Sequence, residues 1–472
     1  MLFVSPVFLF LFLPFILLIN LILNKRYSNY FLLIASIFFY FWGEGAFTLI
    51  MLISIIMNHI FAKLIEKYPG KKALGIITLT LIFNLSLLIF FKYSSFLLDN
   101  FNTLLLFIKF KPIIISPIHL PIGISFFTFQ AMSYVLDVYF KKTDSEKSIF
   151  NTGLFISLFP QLIAGPIVRY TDIKEEIKDR KLNFVLFSSG VERFIIGLSK
   201  KIMVADILGK VTDGVFLLNS SKLSPEVAWA GIICYTLQIY FDFSGYSDMA
   251  IGIGKMLGFK FLENFNYPYI SKSIREFWKR WHISLSTWFR DYLYIPLGGN
   301  RISKIRTGLN LILVFFLCGL WHGAAWTFVI WGLFHGFFLI IERSFLGNLL
   351  KKIPSLFSRV YTILIVMISF VFFKSESLNY AINYLKAMLG LSKTIAPCSY
   401  LGLYFDNFTI FILIIGILAS TPIFIRLKEI FTEKINTKLM GFFKIIFYIT
   451  LFIITLGGIA VGSFNPFIYF RF

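Results

Sequence analysis

Long, nearly unbroken runs of Phe, Leu and Ile constrain this chain more than any other feature of its sequence. Residues 2–23, 73–91, 408–425 and 442–461 each approach the roughly 20 apolar residues needed to cross a hydrocarbon core. Across all 472 residues, 58% are hydrophobic and only 15% charged, too few charges to cover that much apolar surface in water. Lipid is therefore the solvent. The expectation is an all-α, polytopic integral membrane protein, because a helix satisfies its own backbone groups where no water can.

Further apolar segments lie at residues 30–42 and 47–62, around a Gly43-Glu44-Gly45 turn, and at 184–208, 227–258, 309–320, 324–341 and 360–373. Together they suggest roughly ten to twelve crossings. Pro112, Pro117, Pro121 and Gly123, and then Pro160, Gly165 and Pro166, predict broken or re-entrant helices. Residues 169–181 carry mixed charge and read as a solvated or interfacial helix. Gln238, Asp242, Ser244, Tyr246, Ser247 and Asp248 give one apolar segment a polar face suited to a cavity wall. With no repeat, long linker or low-complexity tail in view, residues 1–472 read as one integral domain.

The formal net charge of +21 would suggest nucleic acid in a soluble protein. Here the basic residues sit between apolar spans, so no nucleic-acid partner is expected; they set topology instead. Lys25-Arg26 and the basic stretches 63–72 and 426–444 fall on the cytoplasmic side, which places both termini outside. Residues 1–23 lack a basic n-region and a cleavage site, and read as a retained first span. Cys234, Cys318 and Cys398 have no paired or metal-type spacing and read as small buried apolar residues; no metal site is expected.

Polar residues crowd into residues 275–322, which begin REFWKRWHISLSTWFRDYLYIPLGGNR and end at the histidine of CGLWHGAAW (318–326). Ionisable groups at membrane depth are costly and usually functional. Trp278, Trp281, His282, Leu285, Trp288 and Tyr292 recur at three- and four-residue intervals, predicting one helical face. Arg290, Asp291, Tyr294 and Asn300 join them as candidate tunnel or substrate residues, with structural support of the loop as the alternative for each. A turn follows at residues 296–300, then a basic cluster of Arg301, Lys304 and Arg306 that would favour a phosphate-rich cytosolic donor. His322, beside Trp321 and the small residues Gly319, Gly323, Ala324 and Ala325, is either a hydrogen-bonded structural histidine or a general base. His335 reads as structural.

These motifs resemble the membrane-bound O-acyltransferase family, in its bacterial branch of alginate and other polysaccharide O-acetyltransferases. FFTFQAMSYVLDVY (126–139), PQLIAGPIVRY (160–170), YFDFSGYSDMAIGIGKMLGF (240–259) and the terminal FIYFRF (467–472) extend the resemblance over nearly the whole chain. It implies a ring of tilted helices around a thinned centre, with a tunnel where a cytoplasmic acyl donor meets an outer acceptor. By resemblance His322 matches the catalytic histidine and His282 a second recurrent histidine lining the tunnel. No bound cofactor is implied; acetyl-CoA is the implied donor substrate.

Under that resemblance the tail at residues 465–472 emerges outside, where it is either an aromatic interface anchor or an acyl carrier with Tyr469 as acceptor. The implied partners are membrane lipids, an envelope polysaccharide and an extracytoplasmic acetyltransferase of esterase fold, and the implied location is the bacterial inner membrane. Two rivals remain at this stage: D-alanyl transfer to teichoic acid, and a transporter or flippase.

Overall fold

The computed structural model describes residues 1–116, 118–392, 400–432, 437–462 and 466–468. Among them every regular element is helical. Six helical stretches are long and apolar enough to cross a membrane: Tyr27–Lys67, Lys71–Phe107, Lys304–His322, Trp326–Lys352, Ser355–Lys374 and Leu439–Ala460. Phe8–Ile22 and Asn407–Ala419 are apolar but shorter. The protein is a multi-pass membrane protein. The turn expected at residues 43–45 is present: Lys25–Glu44 ends at Gly45, whose φ of +54° lets the chain turn into Thr48–Lys67. Pro117 and Cys398 lie outside the described residues.

Contacts group the chain into two compact units, Met1–Val191 with Ala250–Leu262, and Glu192–Met249 with Glu263–Phe472. In the first unit, Thr48–Lys67 and Lys71–Leu88 are joined by reciprocal amide hydrogen bonds. Asn58 Nδ2 donates to Asn84 Oδ1 at 3.1 Å, and Asn84 Nδ2 donates back to Asn58 Oδ1 at 2.9 Å. Polar bonds of this kind hold helices together where lipid supplies no hydrophobic drive between them. The broken helices expected around Pro160 are Ile149–Ser157 and the four-residue Phe159–Leu162. Phe159 N–H, freed by the break, donates to Ser36 Oγ at 3.1 Å, so protein replaces the missing helical acceptor. Helix Tyr170–Lys178 buries Tyr170, Ile173 and Ile177 and leaves Glu175 exposed, as an interfacial helix should.

The second unit contains a hairpin of Lys304–His322 and Trp326–Ile341. Its helices meet at glycines: a Cβ placed on Gly332 would lie 3.1 Å from the Gly319 Cα. Small residues at such crossings let backbones approach closely. The same device joins Phe184–Ser199 to Pro225–Met256, where a Cβ on Gly197 would stand 2.5 Å from the Gly245 carbonyl oxygen. The polar face of Pro225–Met256 points into protein, and its Asp242, Ser244, Ser247 and Asp248 are buried. Two of these carboxylates are closed by ion pairs instead of lining open space: Asp248 receives Arg193 Nε at 2.8 Å and Lys200 Nζ at 2.7 Å, and Asp242 receives Lys201 Nζ at 2.6 Å.

Candidate functional site: a histidine pair in an aromatic box

The expected single helical face from Trp278 to Tyr292 is broken in two. Ile274–Arg280 is started by Ser273, whose Oγ accepts from Glu276 N–H at 3.0 Å. Glu342 also accepts there, from Ile274 N–H at 2.6 Å and Arg275 N–H at 3.1 Å. The helix stops at Trp281, and His282 takes the left-handed conformation (φ +44°) before Ile283–Phe289 begins. A non-glycine residue held there is strained, and such strain clusters at functional sites.

The physical reason for the break is Asn264. Its Oδ1 accepts from Ser284 N–H at 3.2 Å and from Ser284 Oγ at 2.9 Å, and lies 3.2 Å from His282 Nδ1. Its backbone carbonyl accepts from Ile283 N–H at 3.0 Å. The Ser284 N–H fixes the amide's orientation, since only an oxygen can accept there. That oxygen has no proton to give, so His282 donates through Nδ1–H and its lone pair sits on Nε2. Nothing in the sequence marks Asn264: it lies in an aperiodic loop without a motif.

His322 ends Lys304–His322 and is 1% exposed. Its ring centre lies 5.0 Å from Trp321, 4.9 Å from Trp331, 5.3 Å from Phe373 and 6.3 Å from His282. The structure thus brings together His282, Trp321 and His322. The half-buried Ala324 and Ala325 and the exposed Trp326 put the protein surface within a few residues of the ring. His335 is different in kind. Ser369 gives its proton to Val366 O at 2.7 Å, so its Oγ accepts from His335 Nε2–H at 3.0 Å, while His335 Nδ1 accepts from Trp278 Nε1–H at 3.3 Å. Both ring nitrogens serve the packing of three helices.

The other candidates lie further along the chain. Arg290 and Asp291 form a two-bond pair, at 2.6 and 3.1 Å, on the π-helical turn Arg290–Tyr294, with Arg290 exposed and Tyr294 half-buried. The predicted turn follows, with φ of +96° at Gly298 and +57° at Gly299. Asn300 lines a cleft of about 700 Å³ with four cations, Lys272, Arg275, Arg343 and Lys351, and two carboxylates, Glu276 and Glu342. Tyr469 lies outside the described residues. Its neighbours Phe467 and Ile468 are described, and both contact the protein. Phe467 is buried and Ile468 N–H donates to Asp242 Oδ2 at 2.8 Å.

An all-helical, multi-pass membrane protein with a buried histidine pair defines a class, and residues 34–377 match the membrane-bound O-acyltransferase family, MBOAT. The chain belongs to that family and is an O-acyltransferase. It is 44% identical over 390 residues to the "Probable alginate O-acetylase AlgI" of Pseudomonas aeruginosa, covering 82% of this chain and 75% of that one. The peptidoglycan O-acetyltransferase of Helicobacter pylori is 38% identical over 428 residues, covering 83% and 80%. The teichoic acid D-alanyltransferase of Bacillus subtilis is 32% identical over 266 residues, covering 53% and 66%.

Proposed function

We propose that this chain takes an acetyl group from cytoplasmic acetyl-CoA and passes it across the bacterial inner membrane for O-acetylation of an envelope polysaccharide of alginate, peptidoglycan or cellulose type. The observation that carries this reading is the pair of buried histidines with ring centres 6.3 Å apart, in an O-acyltransferase. The names of the P. aeruginosa and H. pylori relatives support the acceptor class. Residues 1–472 act as one integral domain, a ring of helices around a tunnel, with both termini extracytoplasmic. Arg290, Asp291, Tyr294 and Asn300 belong to the tunnel's donor side, where the cations of the Asn300 cleft attract the donor's phosphates.

His322 is the general base. As the acceptor oxygen attacks the thioester carbonyl, its proton moves to His322, the C–O bond forms and the C–S bond breaks. The proton then passes to the leaving thiolate, so acetyl-CoA and an alcohol become an ester and free CoA. Trp321 and Trp331 keep the imidazole in place and water away. His282, with its lone pair fixed on Nε2, is a second acceptor lining the same passage. Tyr469 is the first acceptor hydroxyl, and an extracytoplasmic partner of esterase fold carries the acetyl onward to the polysaccharide.

The test uses membranes given labelled acetyl-CoA. His322→Ala should lose transfer by about 10²–10⁴-fold, the usual worth of general base catalysis. Unchanged transfer in that variant would remove His322 from the chemistry. A second reading, D-alanyl transfer, is favoured by the B. subtilis match; labelling from a D-alanyl carrier protein instead of acetyl-CoA would select it. Wild-type acetyl export by Tyr469→Phe would remove the tyrosine from the route.

A further inference from the structure

We propose that the buried cluster Lys201, Asp206 and Asp242 is a docking socket for the C-terminal tail, and that Asp242 positions the tail by holding the Ile468 N–H. The positioning role rests on the reading of Tyr469 as acyl carrier. All three residues are 3% exposed or less. Lys201 Nζ lies 2.7 Å from Asp206 Oδ1 and 2.6 Å from Asp242 Oδ1. One ammonium therefore serves two carboxylates, and buried charge of this kind is costly unless further hydrogen bonds complete it.

The tail completes it on both signs. Ile468 N–H donates to the second Asp242 oxygen at 2.8 Å. The Phe467 ring lies 4.8 Å from Lys201 Nζ, a cation–π contact, and stands edge-on to Tyr246 at 4.6 Å. Phe467 is 1% exposed. Lys201 itself lies on the π-helical stretch Lys200–Ala205, a local widening of the helix common at functional sites. The last helix packs on the same region: Thr455 Oγ1 lies 2.9 Å from Ser199 Oγ.

Helix Pro225–Met256 links this socket to the histidines. Asp242 and Tyr246 hold the tail, and Phe243, the residue next to Asp242, lies 4.7 Å from the His282 ring. One helical turn thus touches the tail on one side and His282 on the other. Tyr469 is the residue immediately after the anchored Ile468. A socket that fixes residue 468 sets the start of the acyl-carrying segment relative to the chemistry. An ordinary lipid anchor would need neither the buried carboxylate nor the bond to a tail N–H.

The experiment removes that N–H and leaves the socket intact. Ile468→Pro has no backbone donor, whereas Ile468→Ala keeps it. Both are made in the full chain and compared by carboxypeptidase trimming in detergent, read by mass spectrometry, and by Tyr469 labelling from acetyl-CoA. Ile468→Pro should lose residues 470–472, whose release a proline at 468 does not itself block, roughly tenfold faster or more, as expected for losing a hydrogen bond to a charged acceptor. Its labelling rate should fall by a similar factor, with KM for the donor unchanged, while Ile468→Ala stays near wild type. Equal trimming of the two variants would overturn the socket. Faster trimming with undiminished labelling would overturn the positioning role. If wild-type Tyr469 takes no label at all, the carrier reading and the positioning role fall together, and the trimming contrast still decides whether the tail docks.

Discussion

Asn264 uses one side-chain oxygen to stabilise a left-handed histidine, to hold the Ser284 N–H in the first turn of Ile283–Phe289 and to choose the tautomer of His282. Asn264→Ala would leave the Ser284 N–H without that acceptor, a cost of about 1–3 kcal/mol, and would free the His282 ring to rotate. Acetyl transfer should fall by roughly 10–100-fold, a loss typical of removing an orienting partner, whereas Asn264→Asp, which keeps the acceptor oxygen, should retain most of it. Equal activity in both variants would show that the tautomer is irrelevant. His335 provides the contrast. His335→Ala should lower the thermal midpoint, because Trp278 and Ser369 lose a buried partner, yet leave KM for the donor unchanged. The two Trp-His pairs were legible because an ionisable residue stands out against Phe and Leu. Asn264 was not, since its role exists only once residues 264 and 282–284 meet in space.

At the scale of the element, the hairpin Lys304–His322 and Trp326–Ile341 sets where His322 sits. Gly319 lies one turn before that histidine and touches Gly332, and a Cβ on Gly332 would run into the Phe315 carbonyl oxygen. Gly332→Val should force the helices apart, destabilise the protein by about 1–3 kcal/mol as overpacking does, and reduce transfer by moving the imidazole. Gly441→Ala is the control: nothing lies within 4 Å of its added Cβ, and helix propensity alone favours alanine by ~1 kcal/mol. Thermal unfolding in detergent compares the two, and equal midpoints would mean the helices are not pressed together at Gly332. Periodicity located these helices to within about a turn, because lipid-facing and buried faces repeat with the helical period. It could not foresee the break at Trp281–His282. The apolar spacing continues unchanged across the break, and what interrupts the helix is a hydrogen-bonding residue outside the pattern.

For the whole molecule, hydropathy finds spans that face lipid more readily than helices that face protein. Pro225–Met256 is 32 residues long, yet Asp242, Ser244, Ser247 and Asp248 interrupt its apolar character while lying buried. Apolar runs therefore give the class of the protein with more certainty than the number of its crossings. Sidedness follows from charge. Arg301, Lys304 and Arg306 stand at the start of the hairpin, and Arg343, Lys351 and Lys352 follow its return. A helix of 19 residues spans roughly 28 Å, so both basic groups lie at one end of the hairpin, and in the function proposed above the positive-inside rule makes that the cytoplasmic end. Ser355–Lys374 then carries the chain to the opposite face near Glu376. In a background lacking native cysteines, Ile302→Cys and Leu349→Cys should react with an impermeant maleimide only in inverted vesicles, and Glu376→Cys only in right-side-out cells. All three sites are exposed. Reaction of positions 302 and 349 on different faces would show that the hairpin does not return. Reaction of both from outside would place the cationic cleft away from the cytoplasm, and a donor such as acetyl-CoA could then not reach it.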